Sequence, residues 1–255
     1  MPKNQAVNVD NRLLNLLSTE EVENFISHCD LVELKVGQVL VKPGEPIEYA
    51  YFPLSGIISW EKQITGSPFL VVMLIGYEGM LCINLNLDID QTPCRAMVQK
   101  DGFAWRLSAE QFKVQIQHSP QLLTILKRYT FVVYSQLMQY GVCNLFHVLE
   151  SRLARIFLML QDRADCNDLH ITQELLAQML GVRRVGVTKA ASALQRKSII
   201  HYSRGHVSII DRKSLIQQSC VCYESDKMVY EEYLHVKPKE LLEQSINSST
   251  DFLKF

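Results

Sequence analysis

The sequence predicts an α+β fold in which an antiparallel barrel or sandwich, a long helix and a three-helix module with a β-hairpin follow one another. Residues 31–107 contain short apolar runs separated by turn signals such as Pro43-Gly44, a pattern typical of many short antiparallel strands. From about residue 120 to residue 163, helical periodicity continues with few breakers. Residues 169–210 then suit three helical segments and a hairpin, so the C-terminal part is expected to fold as a separate module.

The start of the chain and the end of the strand region both carry helix N-cap signals. Ser18 is followed three residues later by Glu21, which is the spacing of a capping box, so we expect short helices before the strands. Ser108 is placed to cap the helix that follows them.

Composition restricts the class of protein. The chain has 255 residues, of which 47% are hydrophobic and 21% charged, enough to bury the core of one large domain or two ordinary ones. Its start has no apolar signal segment, and its apolar runs are too short to cross a bilayer. We therefore expect a cytoplasmic protein without a membrane partner, whose seven cysteines are reduced thiols.

Charge is distributed unevenly along the chain. The net charge is −1, but residues 169–214 contain eight cations against two acidic residues, about +6 in total. The rest of the chain is correspondingly acidic. A basic C-terminal module on an acidic body points to a polyanionic partner for that module.

Residues 171–194 have the spacing that a helix-turn-helix requires. Thr172 can cap the first helix, Ala177 is small where the helices cross, and Gly181 can adopt the positive φ of the turn. Val187 and Leu194 supply the buried face of the second helix. After these helices, the hairpin that turns at residues 203–206 predicts a wing, and Asp211 can cap a further helix.

The outward face of the second helix predicts contacts with double-stranded DNA. Arginine can bond guanine bidentately in the major groove, and threonine or valine can pack on a thymine methyl group. The candidates on or beside this helix are Arg183, Arg184, Val185, Thr188, Lys189 and Ser192. Arg184 and Lys189 lead for base contacts, and the expected phosphate contacts are Thr172, Arg196, Lys197, Arg204 and His206.

The long helix offers a seam for a homodimer. Apolar and aromatic residues recur there at coiled-coil-like spacing, namely Leu123, Leu126, Tyr129, Val133, Leu137 and Tyr140. The alternative is a helix that packs only on its own domain. The length of the helix and its position between two modules favour dimerisation.

Several stretches closely resemble the CRP/FNR family of bacterial regulators. Besides the helix-turn-helix, these are Val36-Gly37-Gln38-Val39-Leu40-Val41-Lys42-Pro43-Gly44-Glu45, Tyr51-Phe52-Pro53-Leu54-Ser55-Gly56, Arg95-Ala96, Glu150-Ser151-Arg152-Leu153-Ala154-Arg155 and Cys220-Val221-Cys222-Tyr223. The resemblance covers nearly the whole chain. It implies an N-terminal cyclic-nucleotide-binding-type β-roll, a long dimerisation helix and a winged helix-turn-helix that binds a near-palindromic DNA site.

The resemblance also directs attention to an effector pocket. In cyclic-AMP-responsive relatives a Gly-Glu pair holds the ribose, an arginine holds the cyclic phosphate, and hydroxyls on the dimer helix face the adenine. Here the matching segment reads Gly79-Met80-Leu81-Cys82-Ile83-Asn84-Leu85, without a carboxylate, and the helix positions are Leu137 and Met138. The pocket candidates are Met80, Leu81, Cys82, Ile83, Asn84, Arg95, Ala96, Leu137 and Met138. Because polar partners are missing, we expect no response to cyclic AMP and leave any effector unidentified.

Other chemistries find little support in the sequence. A single cysteine, Cys29, precedes Cys82, so an iron–sulfur cluster of the family type is not expected. The histidines lack metal-site spacing. Cys220 and Cys222, in Cys-x-Cys spacing, could be redox-active or bind a metal, but their place beside an apolar helix end favours packed thiols. Without a phosphate-binding glycine loop or a nucleophile motif, neither catalytic residues nor a cofactor is expected, and the chain is not predicted to be an enzyme.

The sequence thus predicts four segments: a β-roll effector domain at 1–118, the dimerisation helix at 119–163, the winged helix-turn-helix at 164–234 and a C-terminal tail at 235–255. The expected partners are DNA and a second copy, with RNA polymerase and a small molecule as further candidates. The alternative is an effector-sensing or protein-interaction module whose DNA binding has degenerated. A cyclic-nucleotide-gated enzyme subunit is disfavoured because no residues remain for a catalytic domain.

Overall fold

The computed structural model describes residues 11–164 and 166–234, so the predicted tail lies outside the described residues. A 3₁₀ helix at Leu14–Leu16 precedes helix α1, Thr19–Ile26. The capping box at the start of α1 is confirmed: the Glu21 amide donates to Ser18 Oγ (3.3 Å), and the Ser18 amide donates to Glu21 Oε2 (3.2 Å).

Antiparallel strands form the N-terminal domain. They are β1 (Asp30–Leu34), β2 (Val39–Val41), β3 (Tyr49–Pro53), β4 (Ile57–Lys62), β5 (Leu70–Ile75), β6 (Arg95–Lys100) and β7 (Gly102–Ser108). One sheet has the order β1-β7-β3 and the other the order β2-β6-β4-β5. The predicted antiparallel strand domain is therefore confirmed.

Alternate residues of these strands point into one core between the two sheets. Phe52 and Ala104 from the first sheet and Ile58, Ala96 and Val98 from the second are fully buried in the same cluster. Because side chains alternate along a strand, the neighbours of these residues point to the outer faces. Only those effector candidates that share the inward alternation can lie inside the roll.

The helical region contains a break that the sequence pattern did not predict. Helix α2 spans Ala109–His118, and Ser108 caps it as expected. Helix α3 spans Pro120–Phe146 and helix α4 spans Leu149–Ala164. The expectation of a continuous helix is wrong at His147, whose backbone is extended (φ −106°, ψ 140°). Apolar periodicity runs through this point without a glycine or proline, so it could not mark the break.

The C-terminal module comprises three strands and four helices after α4 in the described residues. They are β8 (Asp168–His170), α5 (Gln173–Leu180), α6 (Arg184–Arg196), β9 (Ile200–Ser203), β10 (His206–Ile209), α7 (Arg212–Gln218) and α8 (Cys222–Leu234). Strand β8 pairs with β10 in the sheet β8-β10-β9.

Two contacts join the C-terminal module to the rest of the chain. Leu176 and Met179 of α5 share a core with Val71 and Leu74 of β5, so the module packs on the outer face of the roll. Helix α8 packs along α3, where the ring centroids of Phe131 and Tyr233 lie 4.6 Å apart.

Candidate nucleic-acid interface

Helices α5 and α6 form a helix-turn-helix whose local signals match the sequence prediction. Thr172 Oγ1 accepts from the Leu175 amide at 3.2 Å and caps α5. Gly181 has φ +62°, the left-handed conformation that glycine adopts without a steric penalty. Val187 and Leu194 are fully buried against the module core, which fixes the rotation of α6 about its axis.

That rotation turns the predicted base-contact residues outward. All six candidates on and beside α6 are at least partly exposed, and Val185 retains 65% of its exposure although it is apolar. An exposed valine flanked by Arg184 and Lys189 suits the chemistry of a major groove, where methyl groups and acceptors alternate. The structure therefore brings these side chains to one surface; their roles toward bases remain predictions.

Gln173 also belongs to this surface, although it was not among the residues predicted from the sequence. Its Oε1 accepts from Arg184 Nε at 3.1 Å and from Thr188 Oγ1 at 2.9 Å. The first of these bonds uses Nε and positions the guanidinium from behind. The signal available in the sequence was its place directly after the capping Thr172, at the N-terminus of α5.

The wing is a tight hairpin with a cation at its tip. Arg204 and Gly205 have φ of 49° and 83°, as a two-residue turn with positive φ at both positions requires. Both Arg204 and His206 are exposed, and the His206 ring packs edge-on against His170 with centroids 4.5 Å apart. The predicted phosphate-contact residues of the wing therefore lie at its accessible edge.

Two of the eight cationic side chains of the module form ion pairs within the chain. Lys197 Nζ lies 2.6 Å from Glu150 Oε1, and Arg212 Nη2 lies 2.7 Å from Asp162 Oδ1 and donates to Tyr223. Lys197 is thus poorly placed for the phosphate contact predicted for it. The remaining cations form no ion pair with a described residue; they are Arg183, Arg184, Lys189, Arg196, Arg204 and Lys213.

The effector candidates separate into two groups. Met80, Leu81, Cys82, Ile83 and Ala96 are buried in the core of the roll, and Leu137 packs partly against that core. Asn84 is half-buried, and its Nδ2 donates to the backbone of Ile89 and Gln91 at 2.9 and 3.1 Å. Met138, by contrast, is half-exposed.

Arg95 requires a correction, because it faces away from the roll interior. Its neighbours Ala96 and the next-but-one Val98 point inward, so Arg95 lies on the outer face of β6. There its Nε donates to Glu61 Oε2 at 2.8 Å, its Nη2 pairs with the same carboxylate, and the guanidinium stacks on Phe69. Glu61 is fully buried. The arginine is therefore the partner of a buried carboxylate and not a free anion ligand.

The predicted dimer seam is also wrong in part. Leu126, Tyr129 and Val133 are buried in the core of their own chain, and Tyr140 donates to the Met179 carbonyl at 3.0 Å. Leu123 and Leu137 are half-buried. The exposed apolar residues of α3 form a different stripe, which consists of Phe131, Tyr134, Met138, Val142, Leu145 and Phe146.

Comparison with known proteins identifies the C-terminal module. The family model of the Crp-like helix-turn-helix domain matches residues 151–218. The C-terminal module is a Crp-like helix-turn-helix domain. The match includes most of α4, all of α5 to α7 and both strands of the wing, so this domain name applies to the surface described above.

About three quarters of the chain or more has the fold of solved CRP/FNR transcriptional regulators. It is similar to TTHA1359, a transcriptional regulator of the CRP/FNR family from Thermus thermophilus (22% identity, 74% of this chain, 98% of that chain, TM-score 0.63). It is also similar to FixK2 from Bradyrhizobium japonicum (13% identity, 75% of this chain, 98% of that chain, TM-score 0.66). A third similar structure is the c-di-GMP-responsive global regulator CLP of Xanthomonas campestris (17% identity, 75% of this chain, 99% of that chain, TM-score 0.63). No curated protein matches the chain.

Two of these three structures, TTHA1359 and CLP, are named as regulators. Within the described part of the chain, no helix combines the length and the apolar character needed to cross a membrane.

Proposed function

We propose that this chain is a sequence-specific DNA-binding transcriptional regulator and not an enzyme. The observation that carries the proposal is the Crp-like helix-turn-helix domain, in which six exposed cations have no ion-pair partner among the described residues. Cations that no internal carboxylate occupies can replace the counterions of a DNA backbone. Arg184, held from behind by Gln173, is the leading base reader.

The proposed binding form is a homodimer that contacts a near-palindromic site. The stripe of exposed side chains on α3, at helical spacing from Phe131 to Leu145, is the surface that a second copy would cover. A two-fold dimer can place its two recognition helices in successive major grooves, about 34 Å apart. Gly141, which lies in this stretch, has no neighbouring atom within 4 Å of an added Cβ, so a partner helix could approach closely there.

We further propose that cyclic AMP is not the effector. The cassette from Gly79 to Leu85 lacks a carboxylate, Arg95 is paired with Glu61, and Leu137 cannot bond to a base. A polar ligand would lose its hydrogen bonds in such a site. The name of the Xanthomonas relative makes c-di-GMP a second nucleotide to test, and no effector at all is the simplest alternative.

The experiment that tests this function is selection of bound sequences from a random duplex library by the purified full-length protein at moderate salt without ligand. An enriched near-palindrome is the expected result, and its half-site spacing would report the dimer geometry. Salt-sensitive binding without enrichment would point to an obligate effector, to be sought with c-di-GMP and cyclic AMP. If DNA is not bound at any salt concentration, the proposal is wrong and the interaction-module alternative replaces it.

We also propose a cytoplasmic location with reduced thiols. All seven cysteines are free in the structure, including a pair whose sulfur atoms lie 3.5 Å apart. A reducing compartment would keep them so.

A further inference from the structure

Four soft ligand atoms converge where the long helix ends. Cys143 lies in the last turn of α3 and His147 directly follows that helix; Cys222 is the first residue of α8 and Cys220 lies two residues before it. Cys143 Sγ is 3.5 Å from Cys220 Sγ, and Cys222 Sγ is 3.3 Å from His147 Nδ1. All four ligand atoms lie within 4.8 Å of one another. We call this group the Cys₃His cluster.

The spacing suits a single tetrahedral ion. With Zn–S bonds of about 2.3 Å and Zn–N bonds of about 2.1 Å, ligand atoms around zinc lie roughly 3.5–3.8 Å apart. The Cys143–Cys220 and Cys222–His147 distances are within a few tenths of an ångström of those values, so small side-chain rotations would seat an ion. Cys143 lies in the last turn of α3, and His147 is the residue directly after that helix.

The surroundings also suit a metal rather than a packing contact. The three cysteines form a buried cluster of their own, separate from the two main cores, so they do not simply fill apolar space. Gln139 Nε2 donates to Cys222 Sγ at 2.8 Å, the kind of outer hydrogen bond that orients a metal-bound thiolate.

We propose that Cys143, His147, Cys220 and Cys222 bind one zinc ion in a closed structural site. Four protein ligands leave no open position for water or substrate, so the ion would be structural and not catalytic. Binding would release the protons of the thiols and join the end of α3 to the start of α8, the helix that packs back along α3. Sequence spacing gave no metal site because 77 residues separate Cys143 from Cys220, and only the fold brings them together.

The first experiment uses the full-length protein, purified under reducing conditions without chelator. Elemental analysis is expected to find one zinc per chain. After chelation, Co²⁺ alone should restore a spectrum with thiolate-to-cobalt charge-transfer bands and the visible bands of tetrahedral cobalt. The double variant Cys220→Ser/Cys222→Ser should lose both signals. The matched control Cys94→Ser/Cys166→Ser alters two thiols outside the cluster and should keep them.

The proposal can be refuted even if the variants do not fold, because the zinc content and the cobalt spectrum are measured on the wild-type protein. Folded wild-type protein that contains no zinc and gives no cobalt–thiolate bands would overturn the proposal. Equal cobalt spectra from the two double variants would also overturn it, since the ion would then bind elsewhere. A Cys143–Cys220 disulfide that resists reductant would assign these thiols to a covalent crosslink instead.

Discussion

Arg184 Nε on the recognition helix donates to Gln173 Oε1 on the preceding helix at 3.1 Å, so the leading base reader is held before DNA arrives. Thr188 Oγ1 donates to the same oxygen, which couples two candidates on one face of α6. A side chain that is already ordered loses less conformational entropy on binding.

The first prediction concerns sequence preference. Replacing Arg184 with alanine should cost about 1–3 kcal/mol on the selected site and relax preference at one base pair of each half-site. Binding to random duplex should change much less. The measurement is titration of the variant on the selected site, on sites altered at single positions and on random DNA. Equal losses on all of them would show that Arg184 contacts phosphate only.

The second prediction compares Arg204, at the tip of the wing, with Lys197, which already forms an ion pair within the chain. Arg204→Ala should weaken binding to all duplexes similarly and lower the slope of log K against log salt by about 1, because one phosphate contact is lost. Lys197→Ala is the matched control: Lys197 is already paired with Glu150, so its slope should stay near the wild-type value. The assignment of these two cations is reversed if Lys197→Ala lowers the slope and Arg204→Ala does not.

Local chemistry was predictable from the sequence. The cap at Ser18, the cap at Thr172 and the turn at Gly181 each depend on residues a few positions apart, and the structure confirms all three. The same holds for the hairpin tip at Arg204 and Gly205. In each case the residue type matches a backbone requirement that does not depend on the rest of the fold.

Features that depend on orientation or distant contacts were not predictable. In a strand, a shift of one residue exchanges the two faces, so sequence alone could not decide that Arg95 points outward toward Glu61. Helix α3 is apolar on more than one face: one face packs on the roll, another packs on α8, and a third carries the exposed apolar stripe. Periodicity therefore identified a seam but selected Tyr129 and Val133, which belong to the chain's own core. Distant pairs such as Arg155 and Asp226 have no sequence signal.

The third prediction tests which stripe of α3 holds the second copy. Met138 and Val142 are each 50% exposed, and a Met138→Glu/Val142→Glu variant would place four carboxylates across a two-fold interface. We expect this variant to sediment as a monomer and to lose affinity for the palindrome, while its circular dichroism stays unchanged. Leu31→Glu is the control, since Leu31 is 55% exposed on β1, outside the stripe. A dimer that persists in the double variant would exclude this stripe as the interface.

The fourth prediction concerns pH and the helix that follows the wing. Hydrogen bonds from the Ser214 side chain and amide lower the pKa of Asp211, the N-cap of α7. A carboxyl with a lower pKa in the folded state stabilises the fold above its unfolded pKa, and this contribution disappears as the pH falls through the folded pKa. An NMR titration should therefore find a pKa for the Asp211 carboxyl that is lower than that of free aspartate. Asp211→Asn should remove this part of the acid dependence of unfolding, whereas Asp88→Asn, on the roll, should leave it in place.

The last prediction concerns the buried ion pair between Arg155 of α4 and Asp226 of α8. Both side chains are about one-tenth exposed or less, so removing one leaves the other charge buried without a partner. Asp226→Ala should reduce the free energy of unfolding by about 3–5 kcal/mol, measured by urea denaturation. Glu224→Ala is the control on the same helix: it removes an exposed pair with Lys227, expected to contribute about 0–1 kcal/mol. Because an apolar pair of similar volume can replace a buried ion pair, Arg155→Met/Asp226→Leu should recover much of the loss. If Asp226→Ala has the same midpoint of urea denaturation as the wild-type protein, the ion pair does not stabilise the packing of α8 on α4. Water would then reach Arg155 in the variant.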